Sequence, residues 1–283
     1  MNLKQKYDCV SKKGLYTRMK CFSIDLDGTL LNSSHQIPEE NFKVLQDLQA
    51  QGHTIIINTG RAVEDVIKFE EIQKLQAPII SINGTVIYSS TQEVLYEASL
   101  PVETYKEILP ILQDIGLWVM VYTNQGGFPC RNPEIQDKSD DAIEPIFAEY
   151  DYNQILEKEN LKIYKVMAVS RHDELDKIDR AKQAIHGNFE LSWASSHPNN
   201  VEFTSVEANK GRALLRYQKL TDIQFDEIFA FGDGGNDLEQ FKVATTSVAM
   251  ENAPFTIKQE ADVVTMTNDE NGFAYAVRHL INL

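Results

Sequence analysis

The sequence predicts an α/β protein, with a parallel-sheet core divided in the chain by an inserted α+β domain. Three observations carry this reading. Apolar, strand-like runs alternate with amphipathic helical stretches at both ends of the chain, and the stretch between them has a different texture of paired strands and helices. Three of the apolar runs also end in polar, glycine-containing turns. Near-continuous apolar strands separated by helices mark a parallel sheet buried on both faces.

Residues 1–19 are polar and without period, and Met19-Lys20 would itself serve as a start, so this extension is expected to be dispensable. The first part of the core is expected over 20–85. It opens with the strand Cys21-Phe22-Ser23-Ile24, followed by a helix that Pro38 opens and Gly52 closes, with Phe42, Leu45 and Leu48 on its apolar side. Thr54-Ile55-Ile56-Ile57 is the next strand, a helix is expected over about 63–75, and the apolar run 78–82 ends at Asn83-Gly84. Residues 86–205 are read as the insertion. Its strands fall at 85–89, 93–96, 118–122, 162–169, 189–193 and 201–204, with helices near 102–115, 140–148 and 174–185. The second part of the core is expected over 206–283: helix 211–220, strand 227–231, the turn Gly232-Asp233-Gly234-Gly235-Asn236-Asp237, then helix 238–243, strand 246–249, helix 254–259, strand 262–264 and helix 272–280.

Composition narrows the function. The 27 Lys and Arg against 42 Asp and Glu give a formal charge of −15, and no basic cluster stands out, which argues against a nucleic-acid partner. Cys9, Cys21 and Cys130 are odd in number and lack metal spacing, as in a reduced cytoplasmic protein. No apolar stretch approaches the ~20 residues that span a bilayer. The N-terminal segment lacks the apolar core of a signal peptide, so a soluble, cytoplasmic protein with no membrane partner is expected.

The chemistry is concentrated where strands end. In Asp25-Leu26-Asp27-Gly28-Thr29 two carboxylates stand two residues apart on an extended segment, so both can point into one crevice. Two crowded carboxylates call for a cation, a retained proton, or both. A calcium loop is disfavoured, because its remaining spaced acceptors and its Glu are missing. Asn58-Thr59-Gly60-Arg61 and the turn 232–237 also follow strands, and the carboxyl ends of a parallel sheet share one edge where ligands bind. Asp25 is then the candidate nucleophile toward phosphorus, and Asp27 the group that protonates the leaving oxygen and later deprotonates water. Thr59 and the Gly60 amide can donate to the transferring group and Lys210 can neutralise it. Asp233 adds an oxygen ligand to the aspartates of the first turn, a set able to hold Mg²⁺.

With these four pieces in this order, the sequence resembles the haloacid dehalogenase superfamily, and within it the Cof-type sugar-phosphatase-like hydrolases, from about Lys20 onward. The resemblance rests on Asp25-Leu26-Asp27-Gly28-Thr29, Thr59-Gly60-Arg61, Lys210-Gly211 and the turn 232–237. It implies a Rossmann-like core with the insertion as a mobile cap. It also implies Asp25 as nucleophile and metal ligand, Asp27 as acid/base and backbone-carbonyl ligand, and Asp233 as metal ligand. The Leu26 amide, Thr59, Gly60, Lys210 and Asn236 would contact phosphate, and Asp237 would act behind the metal. Dehalogenases lack the second aspartate, so Asp27 points to phosphate-ester hydrolysis.

The expected function is a Mg²⁺-dependent phosphatase of small phosphorylated metabolites, acting through an aspartyl phosphate. A phosphomutase would use the same aspartate pair, and a noncatalytic phosphometabolite-binding regulator would have no need of Asp27. The cap carries no readable code for substrate. Asn124, Gln125, Arg131 and His197 are its polar candidates, each also an ordinary loop residue.

Overall fold

The protein is described by a computed structural model over residues 19–135, 138–195 and 197–281. Apart from Met19, the expected extension lies outside the described residues. Thirteen strands form two sheets among these residues. The first five are β1 (Lys20–Ile24), β2 (Thr54–Asn58), β3 (Ile79–Ser81), β4 (Val86–Tyr88) and β5 (Val94–Glu97). Five more, β6 (Trp118–Thr123), β7 (Gly126–Phe128), β8 (Ile163–Val169), β9 (Leu191–Ala194) and β10 (Asn200–Ser205), lie in the insertion. The chain then returns through β11 (Glu227–Gly232), β12 (Thr246–Ala249) and β13 (Val263–Val264).

The large sheet runs β13-β12-β11-β1-β2-β3-β4-β5, parallel from β13 to β3. Alternation along each strand divides its apolar residues between two cores. Phe22, Ile24, Ile55, Ile57, Phe229 and Phe231 pack on one side with Leu45 and Leu48 of the helix Glu39–Ala50 and Phe273 of the helix Gly272–His279. Cys21, Ile56 and Ile80 face the other way, against Ala213, Leu214 and Tyr217 of the helix Lys210–Thr221. This is the doubly covered α/β sheet that the apolar strands predict.

Two expectations change. The hairpin read as the start of the insertion at residue 86 instead extends the large sheet: β4 pairs antiparallel with β3, Val86 opposite Ser81, and β5 pairs with β4. Val86 and Ile87 are fully buried, so the hairpin has apolar cover on both faces. The helix expected over 63–75 is two short ones, Val63–Val66 and Glu70–Leu75. Between them Phe69 turns extended, and its ring lies 5.5 Å from the Arg61 guanidinium.

The insertion is built on the antiparallel sheet β7-β6-β8-β10-β9. One face buries Val119, Val121, Val166, Ala168, Val201 and Phe203 beneath the helices Val102–Asp114 and Asp176–Ile185. The register of β6 on β8 slips between Tyr122 and Thr123, so that Tyr122 opposes Lys165 and Thr123 opposes Ile163. Tyr164 is the extra residue of a bulge, a device that re-aims side chains. Tyr122, Lys165, Met167 and Glu202 alternate with those apolar residues along their strands and so lie on the other face, which looks at the core.

Candidate active site

Three of the polar turns follow β11, β1 and β2, neighbours at the centre of the large sheet, so motifs far apart in sequence meet at one edge. Asp25 leaves β1 with its N–H donating to the Phe231 carbonyl of β11 at 3.1 Å. A tight turn follows over Leu26–Leu30, with Leu26 packed inward and Gly28 at φ +73°, a conformation that favours glycine. Glycine is also required by space, since a Cβ there would lie 2.2 Å from Asp233 Oδ2. The turn is pinned to the β11 loop by Thr29, whose hydroxyl donates to Asp233 Oδ1 at 3.0 Å.

Lys210 begins the helix Lys210–Thr221 and is wholly buried. Gly211 beside it allows that approach, because a Cβ would stand 2.0 Å from the Glu239 carbonyl. The Lys210 Nζ donates to Asp25 Oδ1 at 2.6 Å and to Asp237 Oδ1 at 2.7 Å. Asp237 is fully engaged: its Oδ1 also accepts from Gln240 Nε2 at 2.7 Å, while Oδ2 accepts the N–H groups of Asp233 and Gly234 at 3.0 and 2.9 Å. Buried Gln240 in turn accepts from Ser23 and Asn58 through Oε1, so a buried polar network underlies the site.

Across the crevice Asp27 is half-exposed and held bidentately by Arg61, Nε to Oδ2 at 2.7 Å and Nη2 to Oδ1 at 2.6 Å. Thr59 is buried, its Oγ1 accepting the Arg61 N–H at 3.2 Å. Asn236 donates through Nδ2 to Asn83 Oδ1 at 3.0 Å. The structure thus brings Asp25, Asp27, Thr59, Gly60, Lys210, Asp233, Asn236 and Asp237 to one edge, with the Leu26 backbone between the two aspartates.

Asp25, Asp233 and Asp237 each offer a carboxylate oxygen within 4.8 Å of the others. Burial pushes the Asp25 carboxyl well above its usual range; Lys210 opposes this, while Asp237, Asp233 and Asp27 add to it. Burial and then Asp237 push Asp233 up to about 7. Burial works against the Lys210 ammonium, but Asp237 and Asp25 outweigh it and hold the group above the usual lysine range. Crowded carboxylates of raised pKa are what a divalent cation relieves. Asp25 and Asp233 fit as its ligands, whereas Asp237, with four donors already on it, fits a supporting place.

The site opens into a crevice of about 730 Å³ between core and insertion, the size of a small-molecule site. Of the four polar candidates of the insertion only His197 lines it. Asn124 and Gln125 tie their turn to the Asn160 and Glu159 carbonyls, and Arg131 reaches Asp65 of the core at 3.4 Å. Sequence reasoning missed Lys165, Glu202 and Asn83, which also line the crevice. Their signal was a charge in mid-strand, in Tyr164-Lys165-Val166 and Val201-Glu202-Phe203, and a polar residue at the end of an apolar run.

Fold and site together are those of a phosphatase-class hydrolase. The chain belongs to the haloacid dehalogenase-like hydrolase family, whose profile matches residues 22–277. It is 33% identical to phosphatase YwpJ of Bacillus subtilis over 93% of this chain and 100% of that one. It is 31% identical to the 5-amino-6-(5-phospho-D-ribitylamino)uracil phosphatase YwtE of the same organism, over 93% and 99%. A solved haloacid dehalogenase-like hydrolase from B. subtilis superimposes with a TM-score of 0.82 at 30% identity, covering 93% of this chain and 100% of that one. Among the described residues no helix is long and apolar enough to cross a membrane.

Proposed function

We propose that the protein is a Mg²⁺-dependent phosphatase of small phosphorylated metabolites, working by double displacement through Asp25. The observation that carries this reading is the arrangement around Asp25: Lys210 at 2.6 Å, Asp233 in the same acidic cluster, and Asp27 on the crevice side. An Asp25 carboxylate oxygen attacks phosphorus while the ester P–O bond breaks, and Asp27, exchanging its Arg61 contact for the leaving oxygen, supplies that oxygen's proton. Water then attacks the phospho-Asp25, gives its proton to Asp27 and releases inorganic phosphate. Thr59, the Leu26 and Gly60 amides, Asn236 and Lys210 orient the phosphoryl oxygens. Mg²⁺, held by Asp25, Asp233 and the Asp27 carbonyl, would neutralise the charge gathered on those oxygens.

The leaving group would occupy the side of the crevice faced by Tyr122, Met167 and His197, so the insertion would act as a cap that selects the ester. Sugar phosphates and phosphorylated sugar alcohols are the class this pocket size and the named relatives support. Incubation with sugar phosphates, nucleotides, pyridoxal phosphate and a phosphoribityl compound, with Mg²⁺ or with EDTA, tests the proposal. Free phosphate released with Mg²⁺ and suppressed by EDTA is expected. An isomerised ester with no free phosphate would mark a mutase, and inertness toward the whole panel would count against hydrolysis.

A further inference from the structure

Lys165 and Glu202 are both almost fully buried at the crevice, on adjacent cap strands, which is unusual for charges. They pair at 3.1 Å, and the ammonium stands 4.4 Å from the Tyr122 ring centroid. Neither charge is used in the chemistry above. Both reach out of the cap. Lys165 Nζ donates to the Gly60 carbonyl at 3.3 Å, and Glu202 Oε2 accepts from Asn83 Nδ2 at 2.9 Å. Asn83, in left-handed backbone at φ +54°, then accepts from Asn236.

The chemistry of these groups gives the chain of contacts a direction. A carboxylate only accepts, so Glu202 fixes which end of the Asn83 amide faces the cap. The Asn83 oxygen must then face Asn236, which turns the Asn236 NH₂ toward the core edge with its second N–H left for a ligand. The Gly60–Arg61 peptide is held in the same way, its carbonyl drawn to Lys165 while its N–H, that of Arg61, donates to Thr59 Oγ1 and leaves the Thr59 hydroxyl hydrogen for a ligand. Two phosphate donors of the core, Thr59 and Asn236, are therefore oriented by one ion pair of the cap.

We infer that Lys165 and Glu202 are positioning residues for the phosphate site, acting through the Gly60–Arg61 peptide on Thr59 and through Asn83 on Asn236, so that seating the cap and completing the phosphate cradle are a single event. This rests on the proposed phosphatase reading for its ligand, and extends it from the core motifs to the cap. The purely structural alternative is a buried pair that only stabilises the cap. Replacing both members of such a pair by apolar residues restores stability. It would not restore the orientation of Asn83.

The test compares the double variant K165M/E202L and Asn83→Ala with the full-length wild type, reading unliganded melting temperature, the melting shift given by inorganic phosphate with Mg²⁺, and kcat and KM. The double variant is expected to melt near the wild type yet bind phosphate about tenfold or more weakly, as loss of an oriented donor to a charged group implies. The same weakening, with KM raised, is expected for Asn83→Ala, which removes the amide without adding charge beside the ion pair and remains informative if the double variant does not fold. Wild-type phosphate affinity in either variant would overturn the inference. A wild-type protein that binds phosphate but hydrolyses no ester would sink the phosphatase reading and leave this one open to the same shift. Absence of any phosphate shift in the wild type would sink both.

Discussion

Asp27→Asn separates chemistry from folding, because the structure assigns very different sizes to the two effects. The side chain is 49% exposed and its partner Arg61 holds it bidentately. An exposed ion pair contributes about 1 kcal/mol or less, and the amide still accepts one of the two hydrogen bonds. The melting temperature should therefore fall by no more than ~2–4 °C. Loss of the proton shuttle should lower turnover of alkyl phosphates by about 10²–10⁴, equivalent to ~3–5 kcal/mol in the barrier. Aryl and acyl phosphates, whose leaving groups depart without a proton, should still phosphorylate the enzyme, and the intermediate should persist. The assay is single-turnover release of the leaving group from an alkyl and an aryl ester beside a thermal melt. Equal losses of the first turnover on both esters, or a melting change that accounts for the lost activity, would refute the division of labour between the two aspartates.

Two further substitutions test the geometry around the nucleophile. Gly28→Ala places a Cβ 2.2 Å from Asp233 Oδ2 in left-handed backbone, so the Mg²⁺ concentration for half-maximal activity should rise about tenfold or more; an unchanged metal titration would remove Asp233 from the ligand set. Lys210→Met leaves Asp25 and Asp237 buried without their cation, which should lower stability by about 3–5 kcal/mol in a denaturant titration, and wild-type stability would show that the two carboxylates do not depend on it.

What the sequence shows of this molecule follows from which signals are local. The apolar runs of β1, β2 and β11 and the turns after them are contiguous, and parallel-sheet topology does the rest by aligning their ends. Asp25, Asp27, Thr59, Lys210 and Asp233 were legible for that reason. The β4–β5 hairpin was legible as a hairpin, but alternation does not tell which sheet edge accepts it, and it joined the core. At the break Phe69 meets Arg61, a contact outside the helical period. Lys165 and Glu202 were hidden because a charge in a strand ordinarily faces water; here the face they share lies against the core. Asn83 reads as a turn residue, and only its partners, Glu202 and Asn236, separate in sequence and adjacent in space, give it another task.

The central claim is that phosphoryl transfer passes through Asp25. Full-length Asp27→Asn protein, incubated with Mg²⁺ and labelled acetyl phosphate, then quenched in acid and mapped by mass spectrometry, tests it most directly. The account predicts one phosphate on Asp25, absent from the Asp25→Asn/Asp27→Asn double variant and lost when the quench is replaced by neutral hydroxylamine. Label on Asp27's neighbour Thr29, on Asp233 or on any residue other than Asp25 would contradict it, as would an unlabelled protein that still hydrolyses acetyl phosphate.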